Sequence, residues 1–389
     1  SVELRGKEPH DLIETAGQYH DQFTRRSLLH SDPTIEYLVR KIGYELAPEP
    51  TDDYFDYEFY VIRDPSPNAF AMPNGRIYVH TGMLARLEDS SQLAALLAHE
   101  INHVAGHHSV VQFRIKPLDV FDMFFTGGLI ALLNQLQFSR ELEQEADDRA
   151  PAMLVSAGYD PHGVPELMDL LRQDFEGLRP RIATVWTTHP DPDARVALSL
   201  ARVTNLPAAD RDPDLFDEVV HPLRLMTVRD YIRDDYPYTA IAVAPSLLAR
   251  YPDELELRVL LGDAWRVLGP RSEIAPEELT DKEKRRQLRA RLRRTRTERT
   301  ELMLETEEGQ QALARNLETA KTIYEDVLAR DASFAPAYRG LGEVYEALDM
   351  PREAARAYVQ YVRQAPDAED RPVIMTRLTQ LRDQLSTEE

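Results

Sequence analysis

His99 and His103 stand four residues apart, with Glu100 beside the first, in the segment "HEINH" (His99 to His103). If the segment is helical, four residues is about one turn, so both imidazoles leave the same face and can reach a single ion. Glu100 is rotated by about 100° from His99 and faces a water at that ion rather than the ion itself. This division of labour suits hydrolysis. Zinc brings the pKa of a bound water toward ~7 and polarises a carbonyl, while a carboxylate takes the proton and returns it to a leaving amine.

The pentapeptide needs a third ligand. A histidine six residues beyond His103 would make one familiar arrangement, but Ser109 stands there, so that class is excluded despite the matching Gly106. His107 and His108 fall on different faces of a continued helix and read as surface or packing histidines. Downstream, "SRELEQEADDRA" (Ser139 to Ala150) places Glu143 and Asp147 one helical turn apart. Glu143 completes a His-His-Glu set with a fourth position open for water, and Asp147 accepts the second ring N–H of a ligand histidine. The same segment also carries Glu141, Glu145 and Asp148, so a solvated acidic helix face is the competing reading.

Two helices must position these groups. Asp89, Ser90 or Ser91 caps the first, whose apolar face is Leu93, Leu96, Leu97 and Ile101. The second runs from about Arg140 to Ser156 and ends at Gly158. Ahead of them, residues 8–43 have helical apolar spacing, while Tyr57–Asp64 and Gly75–Met83 are rich in aromatic and β-branched residues and read as strands. Phe121–Phe138 is apolar but too short and too polar to span a membrane, and reads as a buried helical hairpin or a flap.

At 389 residues, with 43% hydrophobic and 29% charged, the chain suits two folded domains. A net charge of -21 repels nucleic acid and anionic lipid, so no nucleic-acid partner is expected. The absence of cysteine excludes disulfides, thiolate metal sites and a cysteine nucleophile. The chain begins at Ser1 without an initiator Met, which suggests a mature or trimmed form. After Pro207 the pattern turns helical, with Pro207–Asp214 reading as a linker. Tyr338, Leu341, Gly342, Tyr345, Ala354, Tyr358, Tyr361 and Pro366 match the large-small pattern of a tetratricopeptide repeat. Leu261, Gly262 and Trp265 fit it too, as do Ala320, Tyr324 and Val327. Asp281–Thr300 holds ten Lys or Arg against three acids and reads as a solvated, charged helix, or as a site for an acidic partner or membrane surface.

Four segments together resemble the HtpX and BepA-type zinc metallopeptidases, relatives of the CAAX prenyl proteases. They are "SPNAFAMPNGRIYVHTGML" (Ser66 to Leu84), "HEINH", "SRELEQEAD" (Ser139 to Asp147) and "THPDPDAR" (Thr188 to Arg195), in the family's order. The resemblance implies an α+β zincin-like (gluzincin) peptidase domain, mainly helical with a small sheet. Repeats following it look most like the periplasmic BepA-type branch. Three divisions are expected: 1–206 as peptidase, 207–235 as linker and connecting helix, and 236–389 as an all-α tetratricopeptide-repeat solenoid with a charged insertion near 270–316.

By the same resemblance one Zn2+ per chain sits on His99, His103 and Glu143, with Glu100 as base and Asp147 behind the ligands. His189 lies near the metal, where it either stabilises an oxyanion or occupies the fourth zinc position and holds the enzyme latent. Arg195 helps shape the site. The strand Arg76, Ile77, Tyr78, Val79 and His80 would be an edge strand to which an extended substrate adds. The function implied is endopeptidase action on unfolded or misassembled envelope proteins in the periplasm, with a protein partner on the repeats. A latent peptidase working as a repeat-based binding module is the alternative. Peripheral membrane association stays open: some relatives are lipoproteins, and this chain has no cysteine to carry a lipid.

Overall fold

The computed structural model describes residues 8–48, 56–108, 110, 139–177, 192–271 and 303–388. The segment Phe121–Phe138, the loop residue His189 and the basic stretch Asp281–Thr300 lie outside the described residues. The described chain is mostly helical with one three-stranded sheet. It divides into two compact units, Ser1–Thr227 and Val228–Glu389. No helix among the described residues is long and apolar enough to cross a membrane.

In the first unit the helical spacing of residues 8–43 resolves into two helices, α1 (Glu8–Arg25) and α2 (Pro33–Leu46). The break is local chemistry. Asp32 caps α2 by accepting the amide protons of Thr34 and Ile35 at 2.8 and 3.1 Å, and Pro33 sits where no N–H is needed. Strands β1 (Glu58–Ile62), β2 (Ala69–Ala71) and β3 (Arg76–His80) follow. Alternation divides their side chains between two cores. Phe59, Val61, Ala69, Ala71, Ile77 and Val79 face one core with α2. Ile62, Phe70 and Tyr78 face the other with Tyr19 and Phe23 of α1. A sheet covered on both faces exposes little but its edges.

The strand order is β1-β3-β2, with β3 parallel to β1 and antiparallel to β2. The expectation that Arg76, Ile77, Tyr78, Val79 and His80 form an edge strand is therefore wrong: β3 is central and its backbone pairs on both sides. Among the described residues the edge lying against the metal-motif helix is β2. Its three residues become a strand because the turn at Met72–Gly75 folds them back onto β3. Gly75 takes φ 83, and Met72 N–H donates to the Arg76 carbonyl at 2.9 Å.

After α3 (Thr81–Leu84) comes α4 (Ser90–Ala105), whose residues from Ser90 to Val104 are all buried. An apolar face alone was expected. The polar face is buried as well, because α5 (Arg140–Ala157), which ends at Gly158 with φ 84, and α6 (Gly163–Gly177) pack against it. A Cβ on Gly163 would fall 2.5 Å from the Ser91 carbonyl oxygen, so the close approach of α6 to the start of α4 requires glycine.

Helices α7 (Pro192–Val203) and α8 (Pro213–Arg233) complete this part of the chain. The expected linker Pro207–Asp214 is anchored rather than free. Arg211 binds the α4 cap Asp89 at 2.9 Å, Asp160 at 3.0 Å and Glu166 at 2.6 Å, and Asp212 accepts from the Ser90 hydroxyl at 2.9 Å.

The second unit continues with α9 (Pro237–Arg250), α10 (Leu255–Leu268), α11 (Glu307–Arg330), α12 (Ala335–Ala347), α13 (Pro351–Gln364) and α14 (Arg371–Glu388), each packed on its successor. Rings fill the space that glycines leave. Cβ atoms on Gly262 and Gly340 would come within 2.6 and 2.3 Å of the Tyr324 ring, and one on Gly342 within 2.4 Å of Tyr358. The buried Tyr324 hydroxyl donates to Asp263 at 2.7 Å.

Candidate active site

Helix α4 begins where Asp89 accepts the Gln92 amide proton at 2.9 Å, and this register sets His99 and His103 on the face turned to α5. Their Nε2 atoms are 3.0 Å apart. From α5, Glu143 brings Oε2 to 3.5 Å from His99 Nε2 and Oε1 to 3.4 Å from His103 Nε2. One ligand atom from each residue lies within 4.8 Å of the others, and all three side chains are buried. A tetrahedral zinc with bonds of about 2.0–2.1 Å sets its donors roughly 3.3 Å apart. The observed separations bracket that spacing.

Charge points the same way. Among the described residues Glu100, Glu143 and Asp147 are 0%, 2% and 2% exposed, and the guanidinium that meets them is Arg195, 7% exposed. Three carboxylates against one cation leave a formal balance of −2 in a buried site, which a divalent cation neutralises. The donor set of two imidazoles and a carboxylate therefore fits zinc.

Asp147 and Arg195 hold these side chains in place. Asp147 Oδ1 lies 2.9 Å from His99 Nδ1, which leaves the proton on Nδ1 and the lone pair on Nε2. Arg195 forks onto the same carboxylate, Nε to Oδ2 at 2.8 Å and Nη2 to Oδ1 at 2.9 Å, and reaches Glu143 Oε2 at 2.9 Å. Burial alone would raise the pKa of Asp147, but the Arg195 charge and the His99 hydrogen bond outweigh it and hold the carboxyl far below its ordinary range. Burial pulls His99 down, and the bond to Asp147 with the charges of Asp147 and Glu143 pushes it above its ordinary value.

Two contacts were not anticipated. Asn102, inside the motif, donates through Nδ2 to the Ala146 carbonyl at 3.1 Å and so locks α4 to α5 beside Asp147. Of the surface and packing readings His108 takes the second, 1% exposed with Nδ1 at 3.0 Å from His103 Nδ1. The structure thus brings together His99, Glu100, His103, Glu143, Asp147 and Arg195. His80 is placed elsewhere, its Nδ1 at 2.9 Å from the Ser66 hydroxyl, which donates to Asp64 at 2.5 Å. Arg76 pairs with Glu58 across the sheet.

Comparison with known proteins agrees with this geometry. Residues 33–202 match the model of peptidase family M48. A putative beta-barrel assembly-enhancing protease of Vibrio cholerae is 27% identical over 208 residues, covering 48% of this chain and 42% of that protein. The mitochondrial metalloendopeptidase OMA1 of Schizosaccharomyces pombe is 30% identical over 195 residues, covering 47% and 56%. The beta-barrel assembly-enhancing protease of Escherichia coli is 28% identical over 204 residues, covering 46% and 42%. The chain thus spans about half the length of these curated relatives. Residues 33–202, which hold both helices of the candidate metal site and the residues that brace them, are thus similar to peptidase family M48.

Proposed function

We propose that the protein is a zinc-dependent endopeptidase in which His99, His103 and Glu143 hold the metal and Glu100 is the general base. The observation that carries this reading is the buried triangle of His99, His103 and Glu143, with Glu100 on the same helix as two of its corners. Zinc held there would polarise the scissile carbonyl and activate a water. Glu100 takes the proton of the attacking water and delivers it to the leaving amine. Asp147 keeps His99 in the tautomer that ligates, and Arg195 braces both carboxylates of α5. Burial keeps competing water away from the ion pairs, which strengthens them.

The support for protein substrates is the naming of the relatives as proteases and endopeptidases. On this reading the substrates are unfolded or misassembled envelope proteins in the periplasm, and residues 236–389 are a tetratricopeptide-repeat-like module that engages a protein partner. The packing of Gly262, Gly340 and Gly342 against tyrosines supports the repeat reading.

The test is Glu100→Gln. The variant should bind zinc as the wild type does and lose cleavage of an unfolded protein by at least about a hundredfold, the scale of general acid–base catalysis. Equal cleavage by the two proteins would remove Glu100 from the role of base.

A further inference from the structure

The end of α4 is built in an unusual way. The helix stops at Ala105, Gly106 forms its C-cap, and His107 then takes φ 56, the left-handed region that a non-glycine residue rarely adopts. This turn folds His108 back beneath the helix, with the His103 and His108 rings 5.0 Å apart at an interplanar angle of 75°. Gly106 makes the room: a Cβ there would lie 2.3 Å from His108 Nε2. Two consecutive residues are thus conformationally committed to placing one imidazole.

That imidazole meets His103 nitrogen to nitrogen, Nδ1 to Nδ1 at 3.0 Å. A contact of this kind between neutral rings is a hydrogen bond with one proton in it, so one ring donates and the other accepts. If His108 donated, the proton of His103 would sit on Nε2, the atom that faces His99 and Glu143, and His103 could not ligate. If His103 donates, its Nε2 lone pair is free for metal, and the remaining proton of His108 sits on Nε2. There it points to Glu145 Oε2 at 3.5 Å. Only the second assignment leaves His103 Nε2 able to ligate, with His108 Nε2 facing Glu145 at ion-pair rather than hydrogen-bond distance.

We propose that His108 and Glu145 are positioning residues that hold His103 in its metal-binding tautomer, as Asp147 does for His99. The inference rests on the zinc reading above, because it assigns the tautomer from ligation. The two arms differ in strength. Asp147 is a buried carboxylate at 2.9 Å from His99, whereas His103 leans on a neutral ring whose own carboxylate is longer and half-buried. Removing an outer partner of a ligand histidine weakens metal binding by about 10- to 100-fold. The His108 arm belongs at the lower end of that range.

The experiment is competition for zinc against a chromophoric chelator, with the visible spectrum of the cobalt(II)-substituted protein as a second readout. His108→Phe fills the space without an acceptor and should weaken zinc about tenfold and shift the cobalt bands. His108→Asn can place its amide oxygen near the Nδ1 position and should restore most of the affinity. Gly106→Ala, which displaces the ring without altering it, should resemble His108→Phe. Glu145→Leu probes the far end without touching the buried turn and should give a smaller loss of the same sign. Wild-type affinity and spectrum in His108→Phe and Glu145→Leu alike would overturn the relay while leaving the zinc site standing. Failure of the wild-type protein itself to bind zinc would instead overturn the zinc reading, and the relay with it.

Discussion

Replacing Asp147 separates two jobs that one carboxylate performs, orienting His99 and neutralising Arg195. Asp147→Leu loses both the 2.9 Å contact to His99 and the paired 2.8 and 2.9 Å bonds from Arg195. Loss of an outer partner to a ligand histidine weakens zinc by up to about 100-fold, or about 2.8 kcal/mol. Asp147→Asn keeps an oxygen for His99 and should lose only about tenfold. Stability without metal obeys a different rule. Breaking a buried ion pair by removing one partner costs about 3–5 kcal/mol, and the lower end applies because Arg195 retains Glu143 at 2.9 Å. Arg195→Met removes the brace but also removes a positive charge beside three buried carboxylates, so it should destabilise the metal-free protein while weakening zinc less than Asp147→Leu does. Chelator competition reads the first quantity and urea unfolding of the metal-free protein the second. If Asp147→Leu bound zinc as tightly as the wild type, or if Asp147→Leu and Arg195→Met weakened it alike, the two roles of Asp147 would not be separable.

A pH test addresses the loop below the sheet. Burial would raise the Asp64 carboxyl, but His80 and the two bonds from Ser66 bring it from 3.8 down to about 2. A depressed carboxylate stabilises the fold above its unfolded value, here worth about 2 kcal/mol, and that contribution fades as pH falls from about 5 to about 2. Urea unfolding of wild type and Asp64→Asn should therefore differ near pH 6 and converge near pH 2, whereas parallel curves would contradict the assignment. In the second unit, Gly342→Ala puts a Cβ within 2.4 Å of the Tyr358 ring and should cost about 1–3 kcal/mol of that unit's stability. Unchanged thermal unfolding would show that the ring yields freely.

The parts of the site legible in the sequence were those fixed by local chemistry. Asp89 as a cap, Gly158 as a left-handed terminator and the four-residue spacings of His99 to His103 and Glu143 to Asp147 each act within one helix. What escaped depends on the chain leaving a regular element or meeting a distant one. His107 and His108 were placed on a continued helix, but the helix ends at Ala105 and φ 56 at His107 cancels helical geometry. β2 is only three residues, too short for a period to show, and exists because β3 is there to pair with it. The resemblance implies an edge at Arg76–His80, and nothing local announces the β2 that pairs beyond it. Pro207–Asp214 has the composition of a linker, and composition cannot reveal that Arg211 gathers carboxylates from three separate places.

That last contact sets a timetable. The three residues proposed to hold zinc are complete once residue 143 has been made, and the brace at Arg195 soon after. The start of α4 is not fastened until Arg211 and Asp212 arrive, and the Arg224 side chain must still donate to the Ala85 and Leu87 carbonyls at 3.1 and 2.8 Å, in the segment that leads into α4. A chain emerging from a ribosome therefore carries the groups proposed for the chemistry well before it carries the clasps that hold them in register. A truncation at residue 206 would reproduce that unfinished state, in which the reactive groups are present and their frame is not.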